Sequence, residues 1–230
     1  MSPADAAFDG TCPADTAPLQ FLQSPAAHLG HAGAVQAVET IETHMSWVFL
    51  AGEHVLKMKK PVRLDRIDFR SLERRRRVCL DEVRLNRRLA GDVYIGVVPL
   101  AIGPGGRLAL DGGGVPCEWL VKMRRLPEAR MLDSMLAAGV ARADDLRSVG
   151  RRLGRFFAGA RRCRLSGMAW RTCLQGRIDA NRRDLRGWSA VIDAGLADRV
   201  AGSQRRFLRT HAGLFDERVA AGHVIDGHGD

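Results

Sequence analysis

At 230 residues, with 46% hydrophobic and 27% charged side chains, the chain is long enough for one large domain or two lobes with cores of their own, in the composition range of soluble globular proteins. It lacks any apolar run near the roughly 20 residues of a membrane span and any basic-then-apolar secretory signal, so a cytoplasmic protein without a membrane partner is expected. The net charge of +10 would suit a polyanion, but the cations are almost all arginine, with lysine only at 57, 59, 60 and 122; this skew reads as coding bias, and nucleic acid is not an expected partner.

In chain order, residues 1–33 are predicted to form a flexible N-terminal tail, its first part rich in Ala, Pro and Asp with little periodicity. Within it His28 and His31 make a lone HxxH with no acidic or cysteine partner nearby, too few ligands for a metal site. Val35, Ala37, Val38 and Ile41 mark a first strand. Residues 47–50, the turn Ala51-Gly52-Glu53 and residues 54–58 read as a hairpin whose second strand Pro61 should end. Residues 71–89 predict a helix: Leu72, Cys79, Val83, Asn86 and Leu89 recur at three- and four-residue steps, and arginines 74–77 decorate the remaining faces. Strands follow at 93–100, 107–110 and 115–123, and the Asp111-Gly112 step between the last two is a hairpin signal.

Residues 34–123 therefore read β-β-β-α-β-β-β, a mainly antiparallel sheet with one helix. After Pro127 the pattern turns helical, with candidate helices at 130–138, 144–160, 178–196 and 202–221. A β-rich lobe followed by a helical one is an α+β arrangement. The five cysteines (12, 79, 117, 163 and 173) are odd in number and form no CxxC pair, which indicates reduced structural thiols.

The lysines carry the clearest chemical signal. On a strand Val55, Lys57 and Lys59 share one face, with Leu56, Met58 and Lys60 on the other. A lysine at the end of an apolar strand is either a solvated edge residue or the cation that reaches triphosphate oxygens beneath a sheet. On the following helix, Glu82 lies beside the apolar stripe, whereas Glu73 shares a face with Arg77 and Arg84 and suits a surface pair. An inward carboxylate is costly unless a cation matches it. The pattern alone leaves Glu82 to pair either with Lys57 or with a neighbouring arginine.

Strand, Val55-Leu56-Lys57, long helix with Glu82, further strands and then helices resemble the protein-kinase-like fold. More narrowly, the chain resembles the aminoglycoside phosphotransferase and choline kinase family. The segments Ile41-Glu42-Thr43-His44, Val48-Phe49-Leu50-Ala51-Gly52, Val55-Leu56-Lys57-Met58-Lys59-Lys60-Pro61-Val62 and Glu82-Val83-Arg84-Leu85-Asn86-Arg87-Arg88-Leu89 look closest to one bacterial subgroup. So do Val121-Lys122-Met123-Arg124-Arg125-Leu126-Pro127 and His228-Gly229-Asp230. In that subgroup a phosphotransferase-like domain precedes a P-loop ATPase domain, which the resemblance thus implies as a partner in full-length relatives.

The resemblance covers residues 34–230 and implies a two-lobe fold: a nucleotide-binding N-lobe at 34–126 and an incomplete, mainly helical C-lobe at 127–230. Lys57 would hold the α- and β-phosphates of ATP and Glu82 would orient it, while Val55 would cap the adenine. The stretch 123–126, with Met123, Arg124 and Leu126, would be the hinge that reads the adenine edge through backbone groups. Asp230 would accept the proton of the substrate hydroxyl. The turn Thr43-His44-Met45-Ser46 lacks the family's glycines; either the hydroxyls of Thr43 and Ser46 replace that cover, or the segment is a simple polar turn. The family's Mg²⁺ ligands are expected beyond residue 230, so the chain reads as truncated. The implied function is ATP-dependent phosphotransfer to a hydroxyl of a small molecule, impaired in this form. The alternatives are a catalytically inactive nucleotide-sensing or regulatory module and a basic nucleic-acid module.

Overall fold

The structure, a computed structural model, describes residues 17–28, 35–64 and 67–227. The chain divides into two compact units, residues 1–148 and 149–230. The first described element of the first unit is helix α1 (Ala17–Gln23), followed by a 3₁₀ turn at Pro25–His28. Alternating, β-branched and aromatic sequence then gives β1 (Val38–Glu42), β2 (Ser46–Ala51) and β3 (His54–Lys59). A short hairpin follows, β4 (Arg63–Leu64) with β5 (Ile67–Asp68), and then helix α2 (Leu72–Ala90). Next come β6 (Tyr94–Ile102), β7 (Leu108–Leu110) and β8 (Val115–Arg124).

The architecture is mixed α/β, built on an antiparallel sheet that curls into a half-barrel. Its six strands are ordered β1-β2-β3-β8-β6-β7. Gly52 turns β2 into β3 with φ +56°, a conformation glycine adopts without steric cost. The Asp111-Gly112 step does not close the hairpin its sequence predicts. β7 pairs with β6, and β8 pairs with the opposite side of β6. The 111–114 turn therefore carries the chain across the end of β6. Gly114 has φ +138°, and a Cβ there would stand 2.3 Å from the Ile102 carbonyl oxygen, so the crossing requires glycine.

One face of the sheet holds the main core, where Phe49, Leu56, Leu100 and Leu120 are buried together with Leu22 of α1. The flexible-tail expectation for residues 1–33 therefore fails over 17–28. Leu22 is fully buried in that core, and His28, likewise buried, bonds the Leu22 carbonyl at 2.8 Å through Nε2. Leu19, Phe21 and Leu22 supply enough apolar surface to dock this segment despite its Ala- and Pro-rich surroundings. His28 is thus structural; His31 lies outside the described residues.

Helix α2 covers the other face through Cys79 and Val83, which pack with Val121 of β8. Ser71 caps it, its side chain accepting from the Arg74 N–H at 3.3 Å. Arg75 departs from the expectation that arginines 74–77 merely decorate the faces of the helix outside its apolar stripe. It is buried, and its Nε lies 2.9 and 2.8 Å from the two carboxylate oxygens of buried Glu118 on β8. Its Nη1 donates to the carbonyls of Phe69 and Arg70, both at 2.8 Å. This pair locks the start of α2 to the sheet.

The compact first unit extends past the predicted lobe boundary at 126/127. Hydrogen bonds run on from Pro127 through a 3₁₀ turn into α3 (Leu132–Ala137), and the division falls inside α4 (Ala143–Ala158). The second unit continues with α5 (Gly167–Gly187), α6 (Ala194–Thr210) and α7 (Ala212–Ala220). These boundaries correct the expected helices at 178–196 and 202–221. Ser166 caps α5 by accepting from the Ala169 N–H, and Asp193 caps α6 by accepting from those of Gly195 and Leu196. The caps override the apolar spacing that had joined these segments differently. Among the described residues, no helix is long and apolar enough to cross a membrane.

Candidate functional site

Antiparallel partners opposite one another share a sheet face. On the face that bears α2, β3 presents Val55, Lys57 and Lys59, while Leu56 and Met58 go to the main core. Lys57 stands opposite Val48 on β2 and Val121 on β8; Val55 stands opposite Leu50 and Met123. Val48, Leu50, Val55 and Met123 are only half-buried, so this face keeps an apolar shelf beside Lys57.

α2 brings Glu82 to the lysines. Lys57 Nζ lies 2.8 Å from Glu82 Oε1, and Lys59 Nζ lies 2.6 Å from Oε2. The choice left open by the sequence is thereby resolved: Glu82 pairs with strand lysines and not with a neighbouring arginine. The two lysines differ in access, their side chains being 28% exposed at Lys57 and 7% at Lys59. Lys57 is the cation a ligand can reach, and Lys59 is an internal brace whose ammonium also lies 6.0 Å from the Phe69 ring centroid. Asn86 Nδ2 donates to the Glu82 carbonyl at 2.8 Å, steadying that turn of α2.

Burial opposes ionisation of Glu82, but the hydrogen bonds from Lys57 and Lys59 outweigh it and hold the carboxyl below its ordinary value. Burial pushes the Tyr94 phenol up, and the Glu82 carboxylate adds to the shift. Burial likewise raises the Cys79 thiol to about 12, which makes it an inert packing group. The site therefore presents one fixed, charged ammonium next to an apolar surface, suited to an oxyanion attached to a flat apolar group.

Other expected site residues are placed differently. The Thr43 hydroxyl donates to the Ser46 carbonyl at 2.9 Å and accepts from the Ser46 N–H at 3.0 Å, and Ser46 is buried at 1% exposure. The segment is thus the polar turn, and these hydroxyls give no phosphate cover. Lys60 turns to the opposite side, pairing with Glu42 with its ammonium 5.2 Å from the Trp47 ring centroid.

In the predicted hinge, Met123 pairs with Val55 and Tyr94. The Arg124 N–H donates to the Val93 carbonyl at 2.8 Å and the Arg125 N–H to that of Glu53 at 2.7 Å. Those amides serve the fold, and Leu126 is exposed just beyond them. Asp230 lies outside the described residues. Among the described residues, no group of three or more His, Cys, Asp or Glu side chains could hold a metal ion.

Two features escaped the sequence reading. The Arg75–Glu118 pair is hidden in a run of four arginines, and only a three-dimensional partner distinguishes Arg75 from its neighbours. A second arginine cluster (161, 162, 164 and 177) lines a cleft in the helical unit; its signal was a dense Arg run ahead of Trp170 and Arg177, two residues seven apart on one helix face.

Over 203 residues, 84% of its length, the chain is 32% identical to uncharacterised proteins of Mycobacterium tuberculosis and Mycobacterium bovis. The chain spans about 37% of the length of these relatives. No family model and no solved structure matches it.

Proposed function

We propose that the sheet unit is the nucleotide-binding lobe of an ATP-dependent, protein-kinase-like phosphotransferase that acts on a hydroxyl of a small molecule. The observation that carries this reading is the Lys57–Glu82 pair at 2.8 Å, held at the edge of a half-buried apolar shelf. The sheet order supports it, because β8 lies directly beside β3 and brings residues 123–126 next to the strand of Val55 and Lys57. Lys57 would bind the α- and β-phosphates, Glu82 would keep its ammonium in place, and Val55 would cover the base. Mg²⁺ would supply charge neutralisation through ligands beyond residue 230, and Asp230 would take the hydroxyl proton. The helical unit would be the second lobe, and a P-loop ATPase domain in the longer relatives a partner.

The fit to nucleotide is partial. The ammonium and the shelf suit it, whereas the turn at 43–46 offers no hydroxyl to the phosphates. That turn favours a second reading, a catalytically inactive module that senses nucleotide. Calorimetry with ATP separates the outcomes. Loss of a charge-assisted contact predicts about tenfold or weaker binding for Lys57→Ala, and identical affinity for mutant and wild type sinks the assigned clamp. Mg²⁺-dependent release of ADP supports the enzyme; nucleotide binding without turnover supports the sensor.

A further inference from the structure

The helical unit contains a cleft of about 1060 Å³, and none of its lining residues belongs to the lysine site. Its floor is a short antiparallel clamp. The Cys163 N–H donates to the Val224 carbonyl and the Asp226 N–H to that of Arg161, both at 2.8 Å. This pairing holds the Arg161-Arg162-Cys163-Arg164 run extended against residues 224–226. α5 adds Trp170 and Arg177, whose guanidinium carbon lies 5.9 Å from the indole centroid.

Among the described residues, arginine predominates in the lining of this cleft. Four arginines line it against one carboxylate, that of Asp226. Among the described residues, none of Arg161, Arg162, Arg164 and Arg177 forms an ion pair. Elsewhere in the same unit Arg171, Arg182 and Arg205 pair with Asp216, Asp198 and Asp179. Arg162 runs close to the backbone at Gly222. Gly222 has φ +72°, and a Cβ there would lie 2.7 Å from Arg162 Cδ and 2.9 Å from its Nη1. The Arg162 side chain thus lies against Gly222, whose positive φ favours glycine. Like charges held together in a concavity repel one another, and an anion relieves the repulsion. The guanidinium fork matches phosphate oxygens, and an adjacent indole suits a flat apolar group.

We propose that this cleft binds a small phosphomonoester, with the phosphate on the arginines and its aromatic or apolar part against Trp170. The proposal stands apart from the nucleotide reading of Lys57. The probe is phenyl phosphate, followed by calorimetry and by the rate at which iodoacetamide alkylates Cys173 in the lining, read by peptide mass spectrometry. Wild type and Lys57→Ala should bind it alike. Arg162→Ala/Arg177→Ala should weaken binding about tenfold or more, while the charge-matched surface control Arg206→Ala/Arg209→Ala should stay within about twofold. Phenyl phosphate should slow Cys173 alkylation in wild type but not in the cleft variant. The single variant Arg164→Gln should weaken binding in the same direction, with unchanged circular dichroism. Absence of binding, equal losses in the cleft and control variants, or an unaltered Cys173 rate overturns the proposal. Binding lost in Lys57→Ala but kept in the cleft variant also overturns it, and places the probe at the sheet.

Discussion

Replacing Arg75 with leucine tests the link between the buried ion pair and the lysine site. Four donor contacts would vanish: two to the Glu118 carboxylate and one each to the carbonyls of Phe69 and Arg70. Glu118 would keep only the Trp119 N–H at 2.9 Å. Stranding a buried charge in this way costs about 3–5 kcal/mol, a large share of a domain's typical ~5–15 kcal/mol. In urea, that loss lowers the midpoint by roughly 2 M.

Arg75→Leu/Glu118→Leu should lose less, about 2 kcal/mol, because no charge is stranded and only the carbonyls of Phe69 and Arg70 and the Trp119 N–H lose a partner. Burial already holds the Glu118 carboxyl above its ordinary value, despite the Arg75 bond. A carboxyl raised in the folded state contributes fully below its unfolded value and loses that contribution as pH rises through the folded value. The single variant's deficit should therefore be largest at neutral pH and shrink as the pH falls through the folded value. Glu82 lies seven residues further along α2, about 10 Å along its axis, so the variant should also weaken nucleotide binding. The assay is urea denaturation followed by circular dichroism at two pH values. A loss under about 1 kcal/mol, or a double variant no more stable than the single one, refutes the reasoning.

Glu82→Gln should destabilise the sheet unit by about 3 kcal/mol by stranding Lys59. Because the Glu82 carboxyl is depressed in the folded state, its contribution is present above the ordinary carboxyl range and disappears as pH falls through the folded value. Acid denaturation curves of wild type should therefore approach those of Glu82→Gln at low pH, and parallel curves at all pH values contradict the pairing. In alkylation of the native protein, Cys163 and Cys173 should react, whereas buried Cys79 and Cys117 should react only after unfolding. Leu22→Ala should cost about 2–5 kcal/mol as a core truncation; a neutral result in thermal denaturation returns residues 17–28 to the status of a tail.

The strand and helix order of the sheet unit was legible in the sequence, because alternation and three- and four-residue spacing are local patterns that declare a side chain's face. They put Lys57 and Lys59 on one side of β3, and Glu82 beside the buried stripe of Cys79 and Val83. Which elements become neighbours is a long-range matter. Asp111-Gly112 announces a turn, but the pairing of β7 with β6 depends on the tight passage of Gly114 over Ile102. Leu22 looked like part of a loose tail until the sheet offered it a core face, and Arg75 looked like its three arginine neighbours until Glu118 stood opposite. The charge types at the candidate site were written in the chain. That Glu82 takes both lysines and leaves only Lys57 open to a ligand was decided by the packing of α2, since burial and pair geometry exist only once helix and sheet meet.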